Sequence, residues 1–190
     1  MGLLKIKTIN MKNLVLLIVT LGFVNIVSAQ KYSTKTGKVT FEASVPLFED
    51  VFAQDNSNIA IINADNGDFA SVSTVKNFQF KVKLMEEHFN ENYAETAQYP
   101  KTTFKGKIAN FDKTKLTASP QKYTVQGTLN FHGVDKAVNS TATIYAKDGK
   151  ICMQGTFVAR PADFKVTIPK MVMKKVAENV NVEYNYILSK

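Results

Sequence analysis

Residues 122–131 read Lys-Tyr-Thr-Val-Gln-Gly-Thr-Leu-Asn-Phe, and their parity decides the fold. Tyr123, Val125, Gly127, Leu129 and Phe131 fall on one side of an extended chain, with Lys122, Thr124, Gln126, Thr128 and Asn130 on the other. A period of two marks a strand that hides one face. The same alternation returns at Val39, Phe41, Ala43 and Val45, at Phe78, Phe80 and Val82, and at Ile151, Met153, Gly155, Phe157 and Ala159. It closes the chain at Val180, Val182, Tyr184, Tyr186 and Leu188. Val138, Ala142 and Ile144, and Phe104 with Ile108, are shorter cases, and weaker strands are expected at 51–55, 58–62 and 69–75.

Two turns punctuate these runs, Asp65-Asn66-Gly67 and Lys147-Asp148-Gly149. Asn, Asp and Gly accept the positive φ that tight hairpins require, so the strands are expected to be antiparallel neighbours. One helix is predicted over 84–92, where Leu84, Met85, His88 and Phe89 fall at helical spacing, and a second short helical piece near 170–177. Many half-buried strands at short spacing make a sandwich or a closed barrel. The hidden face mixes large phenylalanines with Gly127, Gly155, Ala43 and Ala142, and small residues among large ones suggest an interior with space in it.

Upstream of the strands, Lys5, Lys7 and Lys12 precede an apolar run from Leu14 to Ile26 and the small-residue pattern Val27-Ser28-Ala29. This is a secretory leader covering 1–29, followed by one domain over 30–190, with Met1 or Met11 as initiator. The run falls short of the about 20 apolar residues of a membrane-spanning helix, so no integral membrane span is expected. Cys152 is the sole cysteine, which rules out an internal disulfide and leaves a passive thiol on the outward parity of its strand. A soluble periplasmic product follows. The net charge of +8 is carried by scattered lysines with a single arginine, Arg160, which argues against a nucleic-acid surface.

Catalysis and metal binding need clustered groups, and the two histidines, His88 and His132, stand far apart. Glu86-Glu87-His88 lacks the second histidine of a zinc-protease helix, and no nucleophile elbow, phosphate loop or dinucleotide fingerprint is present. No cofactor and no enzymatic activity are expected. Met171 and Met173 are candidates for a ligand entrance or for plain core.

Two stretches carry a resemblance. Residues 85–93, Met-Glu-Glu-His-Phe-Asn-Glu-Asn-Tyr, with Tyr99-Pro100-Lys101-Thr102-Thr103-Phe104-Lys105-Gly106, resemble the segment of the YceI-like family that joins its helix to the next strand. Residues 127–136, Gly-Thr-Leu-Asn-Phe-His-Gly-Val-Asp-Lys, resemble that family's later hairpin. The resemblance implies a lipocalin-like antiparallel β-barrel of about eight strands with one or two short helices, whose lumen holds an isoprenoid-like lipid for transport or storage. The inward set expected to contact such a lipid is Phe41, Phe78, Phe80, Phe104, Val125, Leu129, Phe131, Ile144, Phe157 and Tyr184. Two other readings stay open at this point: a stress-response or binding module whose barrel is filled by its own side chains, and an enzyme for a small apolar substrate that uses His88 with a carboxylate.

Overall fold

The computed structural model describes residues 30–190; the leader predicted at 1–29 lies outside them. Among the described residues there are nine strands: β1 (Lys31–Glu42), β2 (Phe52–Asn63), β3 (Asp68–Thr74), β4 (Gln79–Phe80), β5 (Lys101–Ile108), β6 (Gln121–Phe131), β7 (Val134–Lys147), β8 (Lys150–Ala159) and β9 (Val180–Leu188). Every pairing is antiparallel. The order runs β1-β9-β8-β7-β6-β5-β3-β2, and β2 then pairs back with β1, so eight strands close a barrel. Closure leaves no long unpaired edge. The two-residue β4 hangs on β2 through Ala53↔Phe80 and Gln54↔Gln79.

The predicted turns sit where the sequence places them. Asp148 (φ 51°) and Gly149 (φ 73°) link β7 to β8, and both left-handed residues suit a tight hairpin. His132 (φ 52°) and Gly133 (φ 71°) do the same between β6 and β7. The predicted helix is present as α1 (Lys83–His88) running into one π-helical turn, Phe89–Tyr93. The expected helical piece at 170–177 is only a 3₁₀ turn, Met173–Lys175.

Other expectations need correction. The weak strands at 51–55 and 58–62 are one strand, β2, which the polar residues Gln54, Asp55, Asn56, Ser57 and Asn58 disguise in the sequence. The strand expected around Phe78–Val82 shrinks to β4, because the Phe80 N–H donates to Glu86 Oε2 (3.1 Å) at the head of α1. Lys83 Nζ holds the other oxygen of that carboxylate at 2.9 Å. These two contacts, Lys83 first, keep the Glu86 carboxyl below the usual range, and the one from Phe80 ties the helix to the strand.

The interior has two parts. At one end Ile62, Ile108, Ile144, Ile151, Met153 and Leu188 are all at most 2 % exposed and fill the barrel. Each such side chain contributes about 1.5–3 kcal/mol by leaving water. At the other end Ala53, Phe78 and Phe80 pack with Phe41, Met85 and Phe89 in a looser group.

Candidate functional site

The looser end encloses a cavity of about 520 Å³. Its wall follows from strand parity: Val39 and Phe41 come from β1 and Ala43 from just past its end, Val125, Leu129 and Phe131 from β6, Phe157 and Ala159 from β8, and Val180, Val182, Tyr184 and Tyr186 from β9. Nine of the ten residues expected on the inward set line it: Phe41, Phe78, Phe80, Phe104, Val125, Leu129, Phe131, Phe157 and Tyr184. Ile144 is absent from the wall. It has the right parity but sits at the filled end of β7, where Ser140 is the residue of that strand that reaches the cavity. The phenylalanines meet edge-on or tilted, with Phe41 centred 5.3 Å from Phe78, 5.6 Å from Phe80 and 5.3 Å from Phe89. Such pairs make an apolar wall that keeps its shape.

Sequence reading missed part of the wall. Phe69 belonged to a strand with weak alternation, and Tyr186 had the right parity but was not singled out. Phe164, Val166, Ile168, Val172 and Val176 come from the connection between β8 and β9, where no periodicity could have revealed them.

Of the small inward residues only Ala43 lines the cavity; Gly127, Gly155 and Ala142 do not supply the empty space. A Cβ on Gly155 would collide with the Tyr184 hydroxyl, and one on Gly127 would lie 2.6 Å from Phe104 Cζ. Those glycines make room for rings that the barrel already holds. Ala142 is fully buried in the filled end. The hollow lies instead against α1 and the β8–β9 connection, whose Met85, His88, Val172 and Val176 line it.

A polar belt separates hollow from filled interior. Asn58 Nδ2 donates to Ser73 Oγ (2.7 Å), Ser140 Oγ donates to the Thr156 carbonyl (2.8 Å), and the Tyr184 hydroxyl lies 2.8 Å from Ser140 Oγ. Tyr184 and Tyr186 stack at 5.4 Å. Burial pushes the Tyr184 phenol up to about 12, against the opposing hydrogen bond to Ser140, and raises Tyr186 as well. Both stay neutral hydrogen-bonding groups. Asn58, Ser71, Ser73, Ser140 and both tyrosines face the cavity, so its inner end offers uncharged donors and acceptors.

At the outer end Glu49, His88 and Lys175 line the rim, and all three are exposed. No group of three or more His, Cys, Asp or Glu that could hold a metal occurs among the described residues. His132 lies elsewhere: its ring donates to the Phe164 carbonyl through Nδ1 (3.1 Å), reaches Glu95 through Nε2 (2.6 Å), and packs on Tyr99 at 4.5 Å. It clasps three loops together. Cys152 has the outward parity expected of it and is nevertheless buried, beside Tyr145 of β7 and Ile187 of β9. Met171 and Met173 are 90 % and 47 % exposed and belong to no core.

Fold and site together define a closed antiparallel barrel with an apolar, aromatic-walled pocket, a vessel for a ligand. The sequence matches the model of the YceI-like domain over residues 21–187, and the chain belongs to that family. No curated protein matches it. Among solved structures it is similar to a polyisoprenoid binding domain from Saccharophagus degradans, with 14% identity, 84% of this chain and 97% of that one covered, and a TM-score of 0.71. It is also similar to BcnA of Burkholderia cenocepacia, with 18% identity, 81% and 96% covered, and a TM-score of 0.66. At these identities the likeness establishes the lipocalin-like barrel. Among the described residues no helix is long and apolar enough to cross a membrane.

Proposed function

We propose that the protein binds an isoprenoid-like lipid, a polyisoprenoid or quinone precursor, in the barrel and carries or stores it after export, without catalysing a reaction. The observation that carries this reading is a cavity of about 520 Å³ walled by phenylalanines, valines and leucine. Its size lies within the about 300–1,000 Å³ usual for small-ligand sites. Sheltering a chain from water yields about 0.8 kcal/mol per buried methylene before the costs of association, so no reactive group is needed. Aromatic rings suit a methyl-branched, unsaturated chain. The nine cavity-lining residues of the inward set are the proposed contacts. Membership of the YceI-like family and the polyisoprenoid-binding relative support the same ligand class.

Native mass spectrometry of protein purified from its own compartment, followed by extraction and mass measurement of the bound molecule, tests the reading. A stoichiometric prenyl lipid is expected. Protein that is always empty, even when purified without detergent and offered prenyl lipid, counts against it. N-terminal sequencing of the same sample is expected to begin at Gln30.

A further inference from the structure

Ten large apolar residues are exposed among the described residues, and five of them, Leu47, Phe48, Leu84, Met171 and Met173, sit in the loops and the helix that carry the cavity-lining residues Phe48, Met85 and Val172. Three segments bring them together. The Ala43 N–H donates to the Val51 carbonyl (2.9 Å), closing the loop that carries Leu47 and Phe48. The Ala177 N–H donates to the Ala43 carbonyl (2.8 Å), which sets the loop of Met171 and Met173 against it. Leu84 comes from α1, whose Met85 and His88 line the cavity together with Phe48, Val172 and Lys175. The collar is therefore continuous with the cavity mouth.

Its exposure is extreme. Leu47 is 102 % and Met171 90 % exposed, and Leu47 holds φ 73°, a region that residues with a side chain seldom occupy. Lysines interleave with the apolar tips in Lys170-Met171-Val172-Met173-Lys174-Lys175, and none of these three lysines is ion-paired among the described residues. Glu49 and Asp50 are the acidic neighbours on the opposite loop. A flat protein partner would meet isolated tips poorly. A bilayer fits them better: leucine, phenylalanine and methionine enter the acyl boundary while lysine ammonium groups reach lipid phosphates.

We propose that this collar is a membrane-docking surface that seats the open end of the barrel on a bilayer bearing anionic lipid. The proposal rests on the reading of the cavity as a lipid site, since docking brings the mouth to where such cargo resides. Sedimentation with vesicles of phosphatidylcholine mixed with phosphatidylglycerol tests it, against pure phosphatidylcholine vesicles. The protein is expected to bind the anionic vesicles, and to release them as salt rises. Reversing Lys170, Lys174 and Lys175 to Glu is expected to weaken binding about a hundredfold or more, and Leu47→Asp with Met171→Asp to weaken it on both vesicle types. Melting of each variant is measured alongside, and both are expected to keep the parent temperature. Failure of the parent protein to bind, or unchanged binding by both variants, overturns the proposal. So does a result in which the variants abolish a dimer and leave vesicle binding intact. Bound lipid is assayed on the parent protein: lipid retained without vesicle binding sinks docking alone, whereas vesicle binding by a parent protein that never holds lipid supports docking and sinks the carrier reading.

Discussion

The two ends of this barrel are built by the same strands and differ in almost everything else. β7 shows it within one element: Ala142 and Ile144 are fully buried in the filled end, while Ser140, two residues earlier on the same face, looks into the cavity. β9 repeats the contrast, with Leu188 fully buried and Tyr184 and Val182 on the cavity wall. The filled end supplies stability by packing, and the hollow end gives up packing for capacity. A barrel of eight strands is wide enough for one slender ligand but does not need one throughout its length.

The sharpest way to break this comparison is to remove volume from each end. Ile144→Ala is expected to destabilise the fold by about 2–5 kcal/mol, read as a fall in the denaturant midpoint, because its neighbours cannot close the gap. Leu129→Ala on the cavity wall is expected to cost clearly less, since that side chain already borders empty space. Equal losses would mean that the hollow end is packed in solution.

Adding volume asks the converse. Ala142→Phe is expected to cost about 1–3 kcal/mol, the ordinary penalty of overpacking, since its surroundings are closed. Leu129→Phe is expected to stay within about 1 kcal/mol of the parent, a change of shape that open space tolerates, and to lower the amount of extractable lipid. Unchanged lipid with a much lower melting temperature would contradict the location of the cavity.

The smallest effect belongs to the belt between the two ends. Tyr184, with its phenol raised to about 12 by burial, keeps its proton in the folded protein where the unfolded chain loses it near pH 10. Its contribution is complete below about pH 10, and stability falls as pH rises from there toward 12. Tyr184→Phe is expected to cost about 1 kcal/mol at neutral pH through the lost Ser140 hydrogen bond. The variant is also expected to show a shallower alkaline decline, measured by denaturant unfolding across that range.

Much of this was legible in the sequence because parity is a local property. Alternation at 122–131 and its repeats gave the inward face, and the two turns gave the antiparallel neighbours. Parity carries no information about height along the barrel axis, which is why Ile144 joins the expected contacts although it belongs to the filled end. Gly127 and Gly155 were misread for a related reason. A glycine signals that something large approaches its backbone, and only the structure identifies those neighbours as Phe104 and Tyr184. The loop residues Ile168, Val172 and Val176 were out of reach, because the contacts that bring them to the cavity are all tertiary.

The seam between β1 and β2 is irregular. The pairing slips twice there, between Thr34 and Gly37 and between Gly37 and Val39, and the Tyr186 ring packs directly on Gly37, where a Cβ would meet it at 2.5–2.7 Å. A cylinder has no terminal strand to peel away, so any strand that detaches bares two neighbours at once. Opening is thereby made collective, and amide hydrogens on distant strands are expected to exchange together once the cylinder parts. At Gly37 the Tyr186 ring lies where a side chain would stand and covers the slipped register of that seam.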